Sequence, residues 1–226
     1  MNSHLNWKKF SKKIPSTVPL DKLFLDKIST DKEILDWGCG WGRIDFELQE
    51  KGYTVTGFDI NSELISISKD FAVNTNSKHE NKVQFHVANA LNLPYDDKSF
   101  DVCLMQAFMT TVVDVDDRSS VLNEANRVLG EDGIIYMAEF AQSWENPIYR
   151  DRYLSDFDLT GEKCTFIVTK DGTVNTAEIY RAHHFSEQEL RDLIEPFFNI
   201  DIIEKREFTS YHGNWSNGII IIASKS

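Results

Sequence analysis

A spaced set of glycines behind an acid, with a second acid further on, is the part of this chain best suited to chemistry. The glycines stand in Gly38-Cys39-Gly40-Trp41-Gly42, with Asp36 before them and Arg43 after them. Glycines spaced by single residues let backbone approach a ligand closely, since they carry no Cβ and accept left-handed φ at little cost. Asp59 ends the run Val55-Thr56-Gly57-Phe58, about 20 residues after the loop, where a carboxylate suits both hydroxyls of a ribose. Together they point to a ligand that carries a nucleoside. A dinucleotide loop wants G-x-G-x-x-G with a pyrophosphate on the helix N-terminus. Here the spacing is G-x-G-x-G, and Arg43 occupies the place of the third glycine. That crowds helix against strand and disfavours the dinucleotide pattern. Asp59 also precedes Asn61 and Ser62, so capping the next helix is a second role open to it, compatible with the first.

The elements that must position these residues are legible as alternating strands and helices. Strands are expected at 33–38, 53–59, 82–88, 100–107 and 133–140, and helices at 43–52, 61–73 and 118–129. Gly52 is a fitting stop for the first of these helices. In the third strand Val83, Phe85 and Val87 fall on one face. This β-α-β-α order predicts a parallel sheet flanked by helices, with ligands at the carboxyl ends of the strands. The pattern breaks after Phe140. Residues 143–182 are aromatic-rich, with Trp144, Tyr149, Tyr153, Phe157, Phe166 and Tyr180, and include an expected hairpin turning at Asp171-Gly172. A helix follows, with Ser186 and Glu189 spaced as a capping box, and two further strands.

The segments "ILDWGCGWGR", "GFDI", "VANALNLPYDDKSFDVCLMQA" and "RVLGEDGIIYMAEF" resemble, in order and spacing, the motifs of class I S-adenosylmethionine (SAM)-dependent methyltransferases. The likeness is to the small-molecule branch that includes the ubiquinone/menaquinone-type enzymes. The resemblance implies an α/β fold: a Rossmann-like, seven-stranded, mostly parallel sheet with helices on both faces and the last strand antiparallel. It places a small hairpin-bearing insertion after strand five. The resemblance covers roughly 33–140 and fits the C-terminal strand pair; one methyltransferase domain over 1–226 is expected, with an N-terminal helical cap over 1–30 and a substrate lid at 143–182.

The cofactor would be SAM and the product S-adenosylhomocysteine. Asp36, Gly38, Cys39, Gly40 and Gly42 would surround its methionine part. Asp59 would bind the ribose diol, and Ile60 would pack on the adenine. Asn89 and Ala90 would face the adenine amino group, with Leu91 beside them. Gln106 and Ala107 would line the cofactor near its reactive centre. Asn89 stands where the family often has Asp, yet its side-chain oxygen still accepts a hydrogen bond. Trp41 replaces a small or polar residue, and Gly130-Glu131-Asp132-Gly133 replaces the usual Lys-Pro-Gly-Gly turn.

Sulfonium-borne methyl is already activated, so transfer needs alignment first and a base only if the acceptor must lose a proton. His183, His184, Tyr149, Tyr153, Tyr211 and His212 are the candidates for that base, each more often structural than catalytic, and no catalytic residue is assigned. The aromatic insertion and the segment around Trp7 and Phe10 would wall a small-molecule acceptor, hydrophobic, planar or cationic. The competing reading makes those rings the insertion's own core. Methylation of a protein or peptide, and a non-catalytic SAM-binding module, are the alternatives. The fourth strand ends Gln106-Ala107-Phe108-Met109, not Asn/Asp-Pro-Pro-Tyr, which disfavours amino-group methylation of nucleic acids.

Composition agrees. The 226 residues carry a formal net charge of −12, which repels phosphate backbones and anionic lipid surfaces. The basic cluster of Lys8, Lys9, Lys12 and Lys13 reads as a solvated arm. Three cysteines, Cys39, Cys103 and Cys164, without C-x-x-C spacing argue against a disulfide framework or a zinc site. Cys39 is better placed to pack under the loop than to act as a nucleophile. The absence of a signal-like or long apolar stretch predicts a cytoplasmic protein with no membrane partner; a monomer or homodimer is expected.

Overall fold

The computed structural model describes residues 18–74, 82–169, 178–210 and 212–226. In chain order the elements are α1 (Lys22–Lys27), β1 (Glu33–Trp37), α2 (Arg43–Glu50), β2 (Thr54–Asp59), α3 (Ser62–Asn74), β3 (Val83–Val87) and β4 (Phe100–Gln106). A 3-10 turn (Met109–Thr111) precedes α4 (Val115–Val128) and β5 (Leu129–Phe140). Then come α5 (Pro147–Ser155), α6 (Phe157–Thr160), β6 (Thr165–Thr169), β7 (Glu178–His183), α7 (Glu187–Ile194), β8 (Phe198–Thr209) and β9 (Trp215–Lys225). Seven strands form one sheet in the order β3-β2-β1-β4-β5-β9-β8. The first five are mutually parallel, and β9 runs antiparallel to both β5 and β8. The Rossmann-like expectation, including the antiparallel last strand, holds.

Period-two alternation divides the core between the sheet's two faces. Leu35, Trp37, Cys103 and Met105 pack with Val121, Leu122 and Leu190 of α4 and α7. Ile34, Val102 and Leu104 pack with Phe24, Ile44 and Leu48 of α1 and α2. Central strands are apolar on both sides, as a buried parallel sheet requires. Asp36 therefore shares the α2 face with Ile34, a placement with consequences below. β3 lies at the sheet's edge, so Phe85 is buried while Val87 is exposed, and the expected single buried face stops short.

Two starts differ from the sequence expectation by three residues or more. α4 starts at Val115 rather than Arg118, because Asp114 caps it and Asp116 and Asp117 suit the positive end of the helix. Apolar spacing cannot see that polar first turn. β5 starts at Leu129 rather than Gly133, because Leu129 pairs with Phe100 across a bulge before regular pairing resumes at Val102 and Ile134.

The insertion holds α5, α6 and the antiparallel pair β6-β7. Asn146 caps α5 ahead of Pro147. The expected turn at Asp171-Gly172 lies outside the described residues, as do Trp7, Phe10, Tyr211 and the basic cluster at Lys8, Lys9, Lys12 and Lys13. The capping box of α7 is present: Ser186 Oγ accepts from Glu189 N at 3.1 Å, and Ser186 N donates to Glu189 Oε2 at 2.6 Å. Among the described residues no helix is long and apolar enough to cross a membrane.

Candidate cofactor site

All three loop glycines are left-handed, with φ of 67° at Gly38, 58° at Gly40 and 87° at Gly42, yet each has its own reason to lack a side chain. A Cβ on Gly38 would lie 2.7 Å from the Phe108 ring, and one on Gly42 would lie 2.6 Å from Phe85. A Cβ on Gly40 would meet nothing within 4 Å. Gly38 and Gly42 are thus closed in by protein, while Gly40 borders open space, where a ligand can reach backbone.

The loop is tied to the second acid. Gly40 N donates to Asp59 Oδ2 at 3.0 Å, and Asn61 N donates to Asp59 Oδ1 at 2.8 Å. The cap of α3 is Asn61, whose Oδ1 accepts from Glu63 N and Leu64 N, so Asp59 is released from the capping role. Burial raises the Asp59 carboxyl against the pull of those backbone donors. A carboxylate has about four acceptor positions, so Asp59 keeps capacity for further donors. Ile60, half-buried, follows it directly.

Beneath the loop is a residue that the sequence reading missed. Asp45 on α2 is fully buried, and its neighbour is the buried Asp36 of β1. Neither oxygen of Asp45 has a donor partner among the described residues. Burial raises both acids, and the charges of Asp45 and Asp59 raise Asp36 further, opposed by Arg43. Asp45 is pushed up to about 7. Two buried carboxyls side by side share one proton more readily than they carry two charges. The local signal for this was Gly57: a Cβ there would collide with Asp45 Oδ1 and come within 2.9 Å of Cys39 Sγ. Cys39 itself packs against β2, and burial first, then Asp45, Asp36 and Asp59, holds its thiol well above the usual range, which disfavours a thiolate there. Arg43, the residue in place of a third glycine, donates from Nη2 to Val18 O at 2.7 Å and ties α2 to the segment before α1.

The remaining expected residues lie at the ends of neighbouring strands. Ala88 N donates to Asp59 O at 3.1 Å, which brings the end of β3 alongside Asp59. Asn89 is exposed, and its Oδ1 accepts from Leu91 N at 3.1 Å, so that oxygen already serves a local turn. Ala90 and Leu91 are half-buried against the α4 side of the core. Gln106 ends β4, and both polar atoms of its amide are buried without a partner among the described residues. Ala107 adopts φ 52°, a strained value for a residue with a Cβ, and donates from N to Ala138 O at 2.8 Å. The chain then folds back so that Phe108 lies over Gly38 and meets Trp37 edge-on at 5.8 Å. Cys39, Gly40, Gly42 and Asp59 are joined by hydrogen bonds, Asp36 and Gly38 lead into them along the chain, and Phe108, which lies over Gly38, brings Gln106 and Ala107 alongside.

Comparison with known proteins decides the family. A model of the methyltransferase domain matches residues 35–137, the stretch from β1 into β5. A SAM-dependent methyltransferase of known structure from Methanosarcina mazei is 41% identical, with a TM-score of 0.87, over 92% of this chain and 99% of that one. The chain belongs to the SAM-dependent methyltransferase family. A methyltransferase from Streptomyces halstedii is 31% identical over 50% of this chain and 39% of its own length. The demethylmenaquinone methyltransferase of Lactobacillus johnsonii is 30% identical over 59% of this chain and 53% of its own. The match thus spans about half the length of these curated relatives.

The donor set suits the cofactor that this methyltransferase family implies. SAM carries no phosphate, and the loop offers close backbone approach at Gly40 in place of an anion nest. Asp59 has acceptor capacity for hydroxyls, and the Gln106 amide, without a partner among the described residues, suits a polar ligand.

Four of the candidate bases of this family member, Tyr149, Tyr153, His183 and His184, are bound into structural contacts. His184 is buried, its Nδ1 lies 2.7 Å from Tyr153 Oη, and its ring stacks on Phe140. Burial pushes its imidazole down to about 3, so it stays neutral. Tyr149, Tyr153 and Phe166 pack with Cys164, Val168 and Ala182, which makes them the insertion's own core. His183 Nδ1 lies 2.7 Å from Thr165 Oγ1 and 3.3 Å from Glu162 Oε2. Burial pushes the Glu162 carboxyl up, but bonds from His183 and a two-pronged Arg118, at 2.6 and 2.9 Å, bring it down to about 2. His212 is half-buried in the β8–β9 connection. Of the insertion's aromatics, Trp144 and Phe157 remain exposed.

Proposed function

We propose that this chain transfers a methyl group from SAM to a small-molecule acceptor and leaves S-adenosylhomocysteine. The observation that carries the reading is the glycine unit: a left-handed loop open only at Gly40 and bonded to an acid at the end of β2. When bound, SAM supplies a methyl group already activated on sulfur, so the protein's task is binding and alignment. Asp59 would accept from the ribose hydroxyls, with Ile60 against the adenine and Asn89, Ala90 and Leu91 at its edge. Asp36 and the backbone of Gly38, Cys39, Gly40 and Gly42 would hold the amino-acid part. Gln106 and Ala107 would border the transfer point. Residues 143–182 would form the lid over the acceptor and 1–30 a cap beside it. The net charge of −12 supports a small acceptor over a nucleic acid or an anionic membrane.

Calorimetric titration with S-adenosylhomocysteine, with NADH as control, tests this. Wild-type protein binds S-adenosylhomocysteine and not NADH, and Asp59→Ala weakens the binding about 10- to 100-fold, as loss of one or two charge-assisted hydrogen bonds implies. A folded sample that ignores S-adenosylhomocysteine, or prefers NADH, overturns the assignment.

A further inference from the structure

One buried acid has no part in the site as described so far. Glu139, near the end of β5, is fully buried on the α4 face of the sheet. Its Oε1 accepts from Met109 N at 3.0 Å, and its Oε2 accepts from Thr110 N at 2.9 Å and Thr110 Oγ1 at 3.0 Å. These are the leading N–H groups of the 3-10 turn, which the turn's own bonds, Thr111 N to Phe108 O and Val112 N to Met109 O, leave unmet. Burying a carboxyl is costly, and a turn this short is ordinarily satisfied by water or by a serine or asparagine. The turn follows directly from Ala107, whose left-handed φ resists its place. It also carries Phe108, whose ring closes off Gly38.

We propose that Glu139 is a positioning residue for the cofactor site. It anchors the turn after β4, so that Phe108 stays against Gly38 and the Gln106 amide stays at the strand end. It acts through Phe108 and touches no ligand. The proposal rests on the SAM reading above and deepens it.

The experiment measures S-adenosylhomocysteine affinity by calorimetry, with melting temperature alongside. The proteins are wild type, Glu139→Gln, Phe108→Ala, the double variant and Thr110→Val. Glutamine keeps one acceptor but turns an amide N–H₂ toward a backbone donor. Glu139→Gln and Phe108→Ala each weaken binding about tenfold, and the double variant is no weaker than the worse single one, because both changes break the same link. A Glu139→Gln protein that melts earlier yet binds like wild type is merely less stable and overturns the proposal. Additive losses overturn it too, since Glu139 would then act apart from Phe108. If Glu139→Gln fails to fold, Thr110→Val decides: a two- to threefold loss that vanishes beside Phe108→Ala supports the link, and unchanged affinity overturns it. Wild-type protein that does not bind S-adenosylhomocysteine overturns the proposed function and takes this role with it.

Discussion

The three glycines of the loop make different demands, and their variants should separate accordingly. Gly40→Ala places a methyl group in open space and costs about 1–2 kcal/mol for its left-handed φ. It should fold and lose at least tenfold in S-adenosylhomocysteine affinity by calorimetry. Gly42→Ala drives a methyl group into Phe85 and Phe46 and should fail to give a cooperative melt. The Asp36–Asp45 pair makes a second prediction. Burial pushes the Asp45 carboxyl up to about 7, from 3.8 for the free side chain. The folded state therefore holds more protons than the unfolded state between these values, and its stability falls as pH rises through that window. Asp45→Asn removes this term, since an amide can donate to Asp36 where a carboxylate cannot. Denaturant melts should show the variant gaining on wild type by about 1–3 kcal/mol between pH 5 and pH 8. At this scale the sequence displayed Asp36, the glycines and Asp59, because spacing along the chain is what defines them. Asp45, Glu139 and the unpartnered Gln106 amide were not legible as a set. Their meaning lies in what faces them across a helix, a turn and a strand.

Elements whose ends are written in local chemistry were read well. The α7 cap is one: serine at the cap and glutamate three residues on satisfy each other's backbone, and the structure shows both bonds. Ser186→Ala should cost about 1 kcal/mol and lower the melting temperature by about 2–4 °C in a chain of this size. α4 and β5 were read short at their starts, one because its first turn is acidic rather than apolar, the other because a bulge admits Leu129 to the sheet. The insertion offered two readings, lid or small core. Tyr149, Tyr153, Phe166 and His184 pack on one another, so the core reading accounts for the aromatics that looked most available for catalysis. Its docking is backbone work: Phe185 N donates to Phe140 O at 3.1 Å, and Gln142 N donates to Phe185 O at 2.9 Å. That clasp fastens the insertion to the end of β5, beside Glu139.

For the whole molecule, alternation of strand and helix was enough to foresee a parallel sheet, and resemblance supplied the antiparallel strand that periodicity alone did not. That strand, β9, sits between β5 and β8 although both precede it in the chain. Its residues Ile219, Ile220, Ile221 and Ile222 cover both faces of the sheet at once. During synthesis β5 therefore emerges with one apolar flank open, and β8 arrives without the neighbour it needs. A nascent chain must carry that sticky margin until β9, with β8 paired to it, adds to the sheet. Pairing over such separations is slow, and exposed edges recruit other chains in the interval. The demand this fold places on the cell is thus one of timing: shelter for a half-made sheet while its keystone strand is still being translated.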